Sequence, residues 1–556
     1  MLRLTLPLTL TAALATLLLA LLMARPTGAQ VQALEAWWID TGETDTTSLG
    51  TDIAPLGDLN QDGFDDFIVG SAEEKAFIYF GSAQPDTIPR MIIPSPNTGL
   101  SLFAAGVYGI GDINNDGGED FAAIAIVSQD PDHFQAFLYF GGSMLDTIPD
   151  LILDGGEITA SDFGIYGGPA GDFNDDGGSD FILLDPEYRA IGPSSIKGRA
   201  YLFFGGDILD SIADWQISGG NPFSCVGQDA APLGDVNGDG CDDFVLVDSR
   251  SAGPQGEVGM GYIAVYYGSS NPDTIPDLVI WGEEADAALG MSVAGIDFNQ
   301  DGRKDIVVGS YKAYPPDHLS SVYVYLLPIS EPYVPDFIFL DQGGIDNTTG
   351  WGLLGIDLNG DGWQDIVSNN PYNVLDAGET YVYLGGVYAD TLLDAVYFQG
   401  HTQCALGAGA ANVGDINNDG IEDLVIGEQG YNYFVYGSFW GRLHAILGDT
   451  VYHQSVGVAP EGMTPPVPSA LQLTIFPNPF NSQVTFRIQY QGKEKPTLQI
   501  FNLRGELIRQ YRPISRASAI IWDGYNSSDT PCTSGIYIAR LQAGNFTAVQ
   551  KMVLIK

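Results

Sequence analysis

One nine-residue pattern, Asp-x-Asn-x-Asp-Gly-x-x-Asp, returns seven times along the chain, and this array restricts the fold more than any other feature. The copies begin at Asp58, Asp112, Asp172, Asp235, Asp297, Asp357 and Asp415, at intervals of 54, 60, 63, 62, 60 and 58 residues. A unit of about 60 residues that recurs in register is one supersecondary element packed against its own copies.

The residue types inside the pattern point to a hard cation. Position 3 is Asn60, Asn114, Asn174, Asn237, Asn299, Asn359 and Asn417, and position 5 is Asp62, Asp116, Asp176, Asp239, Asp301, Asp361 and Asp419. Oxygens at positions 1, 3 and 5 converge only if the chain turns sharply, which the glycine at position 6 permits. Position 7 then offers a backbone carbonyl, so its side chain is free to vary; it is Phe64, Gly118, Gly178, Cys241, Arg303, Trp363 and Ile421. Position 9 returns to Asp66, Asp120, Asp180, Asp243, Asp305, Asp365 and Asp423. Three carboxylates and one amide per loop form an all-oxygen set that favours Ca2+ over zinc or copper, and over magnesium, which keeps more of its water. About seven structural calcium ions are expected. An EF-hand would need an acidic residue at position 12, where this chain has Val69, Ala123, Leu183, Leu246, Val308, Ser368 and Ile426.

Each loop runs directly into an apolar strand such as Phe67-Ile68-Val69-Gly70, which places it in a β-hairpin. A small-residue strand precedes the loop, as in Leu233-Gly234-Asp235. After the apolar strand come an aromatic strand (Phe77-Ile78-Tyr79-Phe80-Gly81), a turn (Asp146-Thr147-Ile148-Pro149-Asp150) and a last strand (Leu278-Val279-Ile280-Trp281). Four strands in about 60 residues make one propeller blade, and seven blades can close into a ring without an exposed sheet edge. The 70 glycines, and the lack of any long run with helical apolar periodicity, agree with an all-β chain. Two segments could latch the ring: Ala36-Trp37-Trp38-Ile39 completing the last blade, or a strand around His444 to Tyr452. The aromatic strands are read as packing between blades.

The pattern resembles FG-GAP repeats, which form the propeller of integrin α-subunits and occur in many bacterial surface proteins. Phe163-Gly164 through Gly168-Pro169-Ala170-Gly171-Asp172 comes nearest to the family's name, and the resemblance spans about residues 34–450. It implies metal loops on one face of a propeller that binds its ligand elsewhere.

A Pro-rich linker, 457–470, leads to a second β pattern at 471–556. Its Pro477-Asn478-Pro479 start, Trp522-Asp523-Gly524 turn, Ser534-Gly535-Ile536-Tyr537 strand and basic end resemble the type A sorting domain of the type IX secretion system. The resemblance implies a small Ig-like β-sandwich, the type IX machinery as partner, passage across the outer membrane, and removal of this domain. An ordinary fibronectin-like module is the other reading. Cys532 departs from the pattern, standing where an aliphatic residue is expected.

The chain carries a formal charge of −48, unevenly placed. From Ala470 onward there are about ten basic and four acidic side chains, a net of about +6, which leaves about −54 before it. So acidic a body repels phosphate backbones, and nucleic acid is not an expected partner. Residues 1–29 read as a signal peptide, with Arg3, an apolar run from Leu4 to Met23 and a small-residue site at Thr27-Gly28-Ala29; an uncleaved anchor is the alternative. No other segment is apolar and long enough to span a membrane, so no transmembrane segment is expected in the mature chain. A propeller over 30–456, secreted or held at a bacterial cell surface, follows. Cys225 and Cys241 fall in one repeat and could close a short loop; Cys404 and Cys532 read as small apolar fillers.

The five histidines, at 133, 318, 401, 444 and 453, recur in no motif and flank no nucleophile. The expected function is therefore adhesion to an unidentified extracellular glycan or protein, without enzyme activity and without catalytic residues. The alternatives are a polysaccharide-degrading propeller enzyme and a structural surface protein with no private ligand.

Overall fold

Strand alternation in each repeat produces an antiparallel sheet. In a computed structural model, which describes residues 32–449 and 471–554 apart from short stretches chiefly between strands, the chain divides into two compact units, Met1–Gly457 and Val458–Lys556. Among the described residues all regular elements are strands, and no helix there is long and apolar enough to cross a membrane.

The described part of the first unit forms seven sheets. Their first strands are Leu49–Gly57, Val107–Gly111, Tyr166–Gly171, Asp229–Gly234, Leu289–Ile296, Gly352–Ile356 and Leu406–Asn412. Each first strand touches the one before it, and the seventh touches Leu49–Gly57, so the contacts run full circle. Second strands such as Asp66–Ser71, Asp180–Asp185 and Asp243–Asp248 are buried at every residue. Each lies between two strands of its own sheet with a neighbouring sheet on either face, and its sequence is correspondingly an almost unbroken apolar run rather than an alternating one.

The aromatic third strands pack first within their own sheets. Phe67 stacks on Tyr79, Phe121 on Tyr139, Phe181 on Phe203 and Phe244 on Tyr266, with ring centroids 5.0–5.1 Å apart. All four are directly opposed pairs on the second and third strands. The apolar clusters then span adjacent sheets; one unites Leu56 and Ile78 of the first sheet with Phe121 and Phe137 of the second.

The early segment forms the latch. Trp38–Asp40 pairs antiparallel with Gly441–Ile446 as the outermost strand of the seventh sheet. The segment around His444 is therefore the third strand of that sheet and not its closure, because His444 lies between Ile39 on one side and Ile426 on the other. The aromatic run Tyr433-Phe434-Val435-Tyr436, which follows the seventh loop in the sequence, lies outside the described residues. Just upstream, Gln32–Ala33 runs parallel to Ala395–Tyr397 at the edge of the sixth sheet. One short stretch thus straps two neighbouring sheets together. Leu34, only 5% exposed, plugs the joint among Ala395, Tyr397 and Ile446.

No disulfide links Cys225 and Cys241, which are both free and buried. Cys225 lies by Asp248, at the end of the strand Asp243–Asp248 away from the acidic loop, and donates its N–H to that carboxylate, whereas Cys241 belongs to the loop itself. Cys404 is outside the described residues.

The second unit has two sheets, one joining Leu471–Phe476, Val484–Tyr490 and Ala517–Trp522, the other Thr497–Asn502, Leu507–Tyr511, Gly535–Ala543 and Phe546–Leu554. They share one core, built around Phe486, Ile500, Trp522 and Tyr537, with Cys532 packed at its margin. Trp522 meets the Tyr537 ring edge-on and donates its indole N–H to the Tyr525 carbonyl at 2.7 Å, which fixes the Trp-Asp-Gly turn.

Leu34→Ala should cost about 2–4 kcal/mol, in the range for emptying a buried leucine site. The first transition in urea should move to lower concentration, while Leu507→Ala, at a half-exposed position of the second unit, should leave that transition in place.

Candidate metal loops

Each acidic loop is anchored by a residue that the ligand pattern ignores. Position 2 is Leu59, Ile113, Phe173, Val236, Phe298, Leu358 or Ile416, and all seven are buried. The alternation of an apolar anchor with polar neighbours was visible in the sequence at every copy. From this anchor the chain turns outward, leaving positions 5 and 6 exposed in every loop.

The backbone repeats closely. Position 4 has positive φ in all seven loops, including the non-glycine residues Gln61 (60°), Asn115 (59°) and Asp175 (60°). At position 6, Gly63 has φ 91° and Gly240 101°; a Cβ there would meet no atom, so glycine is needed for conformation and not for room. Position 7 is less free than its sequence variety implies. At Gly118 and Gly178 an added Cβ would lie 2.2 Å and 2.5 Å from the backbone nitrogens of Gly142 and Gly206, so these two loops have no space for a side chain.

The side chains of positions 1, 3 and 5 gather about a single backbone amide. In the third loop the Asp176 N–H donates to Asp172 Oδ1 at 3.0 Å and to Asn174 Oδ1 at 2.9 Å, while the Gly177 N–H donates to Asp172 Oδ2. The Asn174 amide donates to Asp176 Oδ2 at 3.0 Å. The fourth, fifth and sixth loops repeat these contacts through Asp235, Asn237 and Asp239, through Asp297, Asn299 and Asp301, and through Asp357, Asn359 and Asp361. In the first, second and seventh loops, position 1 caps in the same way through Asp58, Asp112 and Asp415.

Position 9 has a different place. Its carboxylate is fully buried in all seven loops. One oxygen accepts the N–H of the residue that leaves the third strand: Gly81, Gly141, Gly205, Gly268, Leu327, Gly385 or Gly448, at 2.7–2.9 Å. The other accepts an N–H at the start of its own loop, as Asp120 does from Ile113 at 2.9 Å. In the seventh loop the Asn417 amide also reaches Asp423 Oδ2, which sets position 9 beside position 3. Burial pushes Asp66, Asp120, Asp180, Asp305 and Asp423 up to about 7 and Asp243 to about 6, with Asp365 also raised. Accepted N–H bonds oppose this effect, and the carboxylates of positions 5 and 1 reinforce it by repulsion.

This donor set fits a hard cation. Among the described residues no three His, Cys, Asp or Glu side chains form a ready-made cage. An ion would have to draw on the Asn amide oxygen and the position 7 carbonyl as well as the carboxylates, which is the mixed oxygen set that calcium accepts.

Position 8, to which the ligand reading gave no role, joins loop to loop. Asp242 accepts the Asp172 N–H at 2.9 Å, Glu422 the Asp357 N–H at 2.7 Å and Asp65 the Asp415 N–H at 2.8 Å. In return the Asp65 and Asp242 N–H groups donate to the carbonyls of Asp415 and Asp172. Asn418 adds a bond to the Gly63 carbonyl. The acid at position 8 in Asp65, Glu119, Asp242 and Glu422 was the available sequence signal.

Comparison with known proteins agrees with the geometry. Residues 289–325 and 349–384 match the FG-GAP repeat, and residues 474–556 match the secretion system C-terminal sorting domain. Human integrin alpha-6 is 29% identical over 162 residues, 28% of this chain and 14% of the integrin. Human phosphatidylinositol-glycan-specific phospholipase D is 32% identical over 149 residues, 25% of this chain and 17% of that protein. Mouse integrin alpha-IIb is 31% identical over 169 residues, 28% and 16% of the two chains. The chain therefore spans less than a fifth of the length of these relatives. It carries FG-GAP repeats of a β-propeller and a type IX sorting domain, which marks a bacterial protein destined for the medium or the cell surface.

The position 9 carboxylates set a pH dependence. Their folded values near 7 lie above the ordinary 3.8, so the folded state holds more protons between about pH 4 and 7. Stability is then lost as pH rises through that window. In excess chelator, the propeller should melt at a higher temperature at pH 5 than at pH 7.5, as followed by circular dichroism.

Proposed function

We propose that this exported chain is a calcium-stabilised seven-bladed propeller that binds an extracellular protein or glycan, and that it is not an enzyme. The observation that carries the reading is the sevenfold loop itself: one backbone course, one oxygen set and one buried aspartate in every sheet of the ring. Three carboxylates crowd each loop, and a divalent ion between them cancels repulsion that burial otherwise intensifies. Residues at positions 1, 3, 5 and 9, with the carbonyl of position 7, would hold it. The ion supplies charge neutralisation and rigidity at these sites, and the extracellular destination supplies the calcium.

The binding reading is favoured over catalysis by the role of His444. Its Nδ1 lies 2.9 Å from the Tyr397 hydroxyl and its Nε2 2.9 Å from Glu428, with no exposure to solvent. The ring serves as packing and hydrogen-bond cross-link between the last two sheets. The sorting domain supports export, with the type IX machinery as its partner. The similarity to a phospholipase covers only a quarter of this chain and 17% of that protein.

Metal analysis of purified protein should return about seven calcium ions, and excess chelator should lower the melting temperature cooperatively. A site saturated a hundredfold contributes about 2.7 kcal/mol, so Asp62→Ala or Asp239→Ala should cost about that much and loosen its own sheet first in hydrogen exchange. A melt unmoved by chelator would refute the calcium reading.

A further inference from the structure

The chain between third and fourth strands repeats closely in the first four of the seven repeats. It runs from Asp86 to Arg90, Asp146 to Asp150, Asp210 to Asp214 and Asp273 to Asp277, each with isoleucine at its centre. The first aspartate accepts the N–H of that isoleucine at 2.7–2.9 Å in all four turns. In the last three, the closing aspartate accepts the N–H of the residue that follows the third strand, at 2.9 Å. In the first, Arg90 instead pairs with Asp86 at 2.7 Å. These carboxylates lock the turns, yet Ile88, Ile148, Ile212 and Ile275 are 58%, 68%, 71% and 70% exposed. One exposed isoleucine is ordinary; four at equivalent, rigid tips in consecutive sheets form a presented array.

The array shares a face with the acidic loops. Phe67 pairs with Tyr79 and Ile78 with Met91, so loop and turn leave the sheet at the same edge. A recess of about 250 Å³ beside Ile212 shows the adjacency, for Asn174 and Asp176 of the third loop line it together with Leu209, Asp210 and Asp214.

Charge selects the occupant. The chain before Ala470 carries about −54, and seven calcium ions would add +14 and leave about −40. An anionic membrane or polymer is repelled at that charge, with or without calcium. A neutral glycan has little to complement four aliphatic tips. A polypeptide with apolar and basic side chains complements both the isoleucines and the carboxylates beside them. Resting on the binding-module reading above, and departing from the integrin resemblance, which would put the ligand elsewhere than the loop face, we propose that the acidic-loop face, through the rim of Ile88, Ile148, Ile212 and Ile275, docks a basic protein partner.

The test uses the full chain with calcium at 0.15 M salt and two labelled 16-residue peptides of equal charge, one of lysine and leucine, one of lysine and serine. Fluorescence anisotropy should show the leucine peptide bound at least tenfold more tightly. The variant Ile88→Ser, Ile148→Ser, Ile212→Ser and Ile275→Ser should melt like the parent, with the same chelator shift, and reduce that ratio to about two or less. Ile212→Ser alone should reduce it partly, which keeps the test valid if the quadruple variant folds poorly. Equal binding of both peptides by the parent, or an undiminished ratio in the variants, overturns the proposal. So does calcium-dependent sedimentation with phosphatidylglycerol vesicles that the variants lose. A calcium-dependent glycan ligand still bound by the variants would overturn this rim while leaving the binding-module reading intact; a chelator-insensitive melt would strike that reading instead.

Discussion

A carboxylate buried in every sheet is the constraint around which the propeller is organised. The aspartate at position 9 takes one N–H from the start of its own loop and one from the exit of the third strand, so a single side chain fixes three segments at one edge. A buried charge of this kind is tolerable only with its acceptor capacity filled and its charge answered, by a proton or by a cation. The loop around it contributes further carboxylates and no basic residue at positions 1, 3, 5 or 9. The protein has thus concentrated charge where the strands must meet, and its proposed dependence on calcium follows from that arrangement.

Ring closure uses the same bonds as the rest of the ring. Asp65 and Asp415, some 350 residues apart, exchange the pair of hydrogen bonds that also joins Asp242 to Asp172. Bringing together the ends of so long a chain costs entropy that a single bond does not offset. The joint therefore has three components: the loop clasp on one face, the strap of residues 32–40 over the outer edges of the last two sheets, and the buried Tyr397, His444 and Glu428 between them. The strap sets residues 32–40 against the sixth and seventh sheets, so the seventh sheet is complete only when segments from both ends of the unit have met.

Much of this was legible in the sequence because repetition amplifies weak signals. A single acidic loop would have been ambiguous, whereas seven in register exposed the turn at Gly63 and Gly240, the strand after it and the aromatic strand beyond. The sequence leaves two candidates for the latch, because Ala36 to Ile39 and the segment near His444 are both short and largely apolar, and only their pairing separates third strand from fourth. Position-by-position reading also divided the loop too simply into ligands and spacers. Asp65 and Asp242 looked like spacers because their partner lies in another repeat. Gly118 and Gly178 looked like free variation because the backbone that fills their side-chain space belongs to the turns at Gly142 and Gly206. Contacts across repeats leave no trace in the spacing within one.

The two units divide physical requirements that one surface could not meet together. An acidic body resists aggregation and nonspecific attachment to anionic cell surfaces, while its loops concentrate the carboxylates that the proposed calcium ions would neutralise. The sorting domain, with its excess of lysine and arginine, carries the address for export. Its core around Trp522 and Tyr537 draws on residues of the second unit alone. On the calcium reading proposed above, a propeller with a buried carboxylate in every sheet is best completed where calcium is plentiful, and a sorting domain with a core of its own keeps the export address apart from those loops.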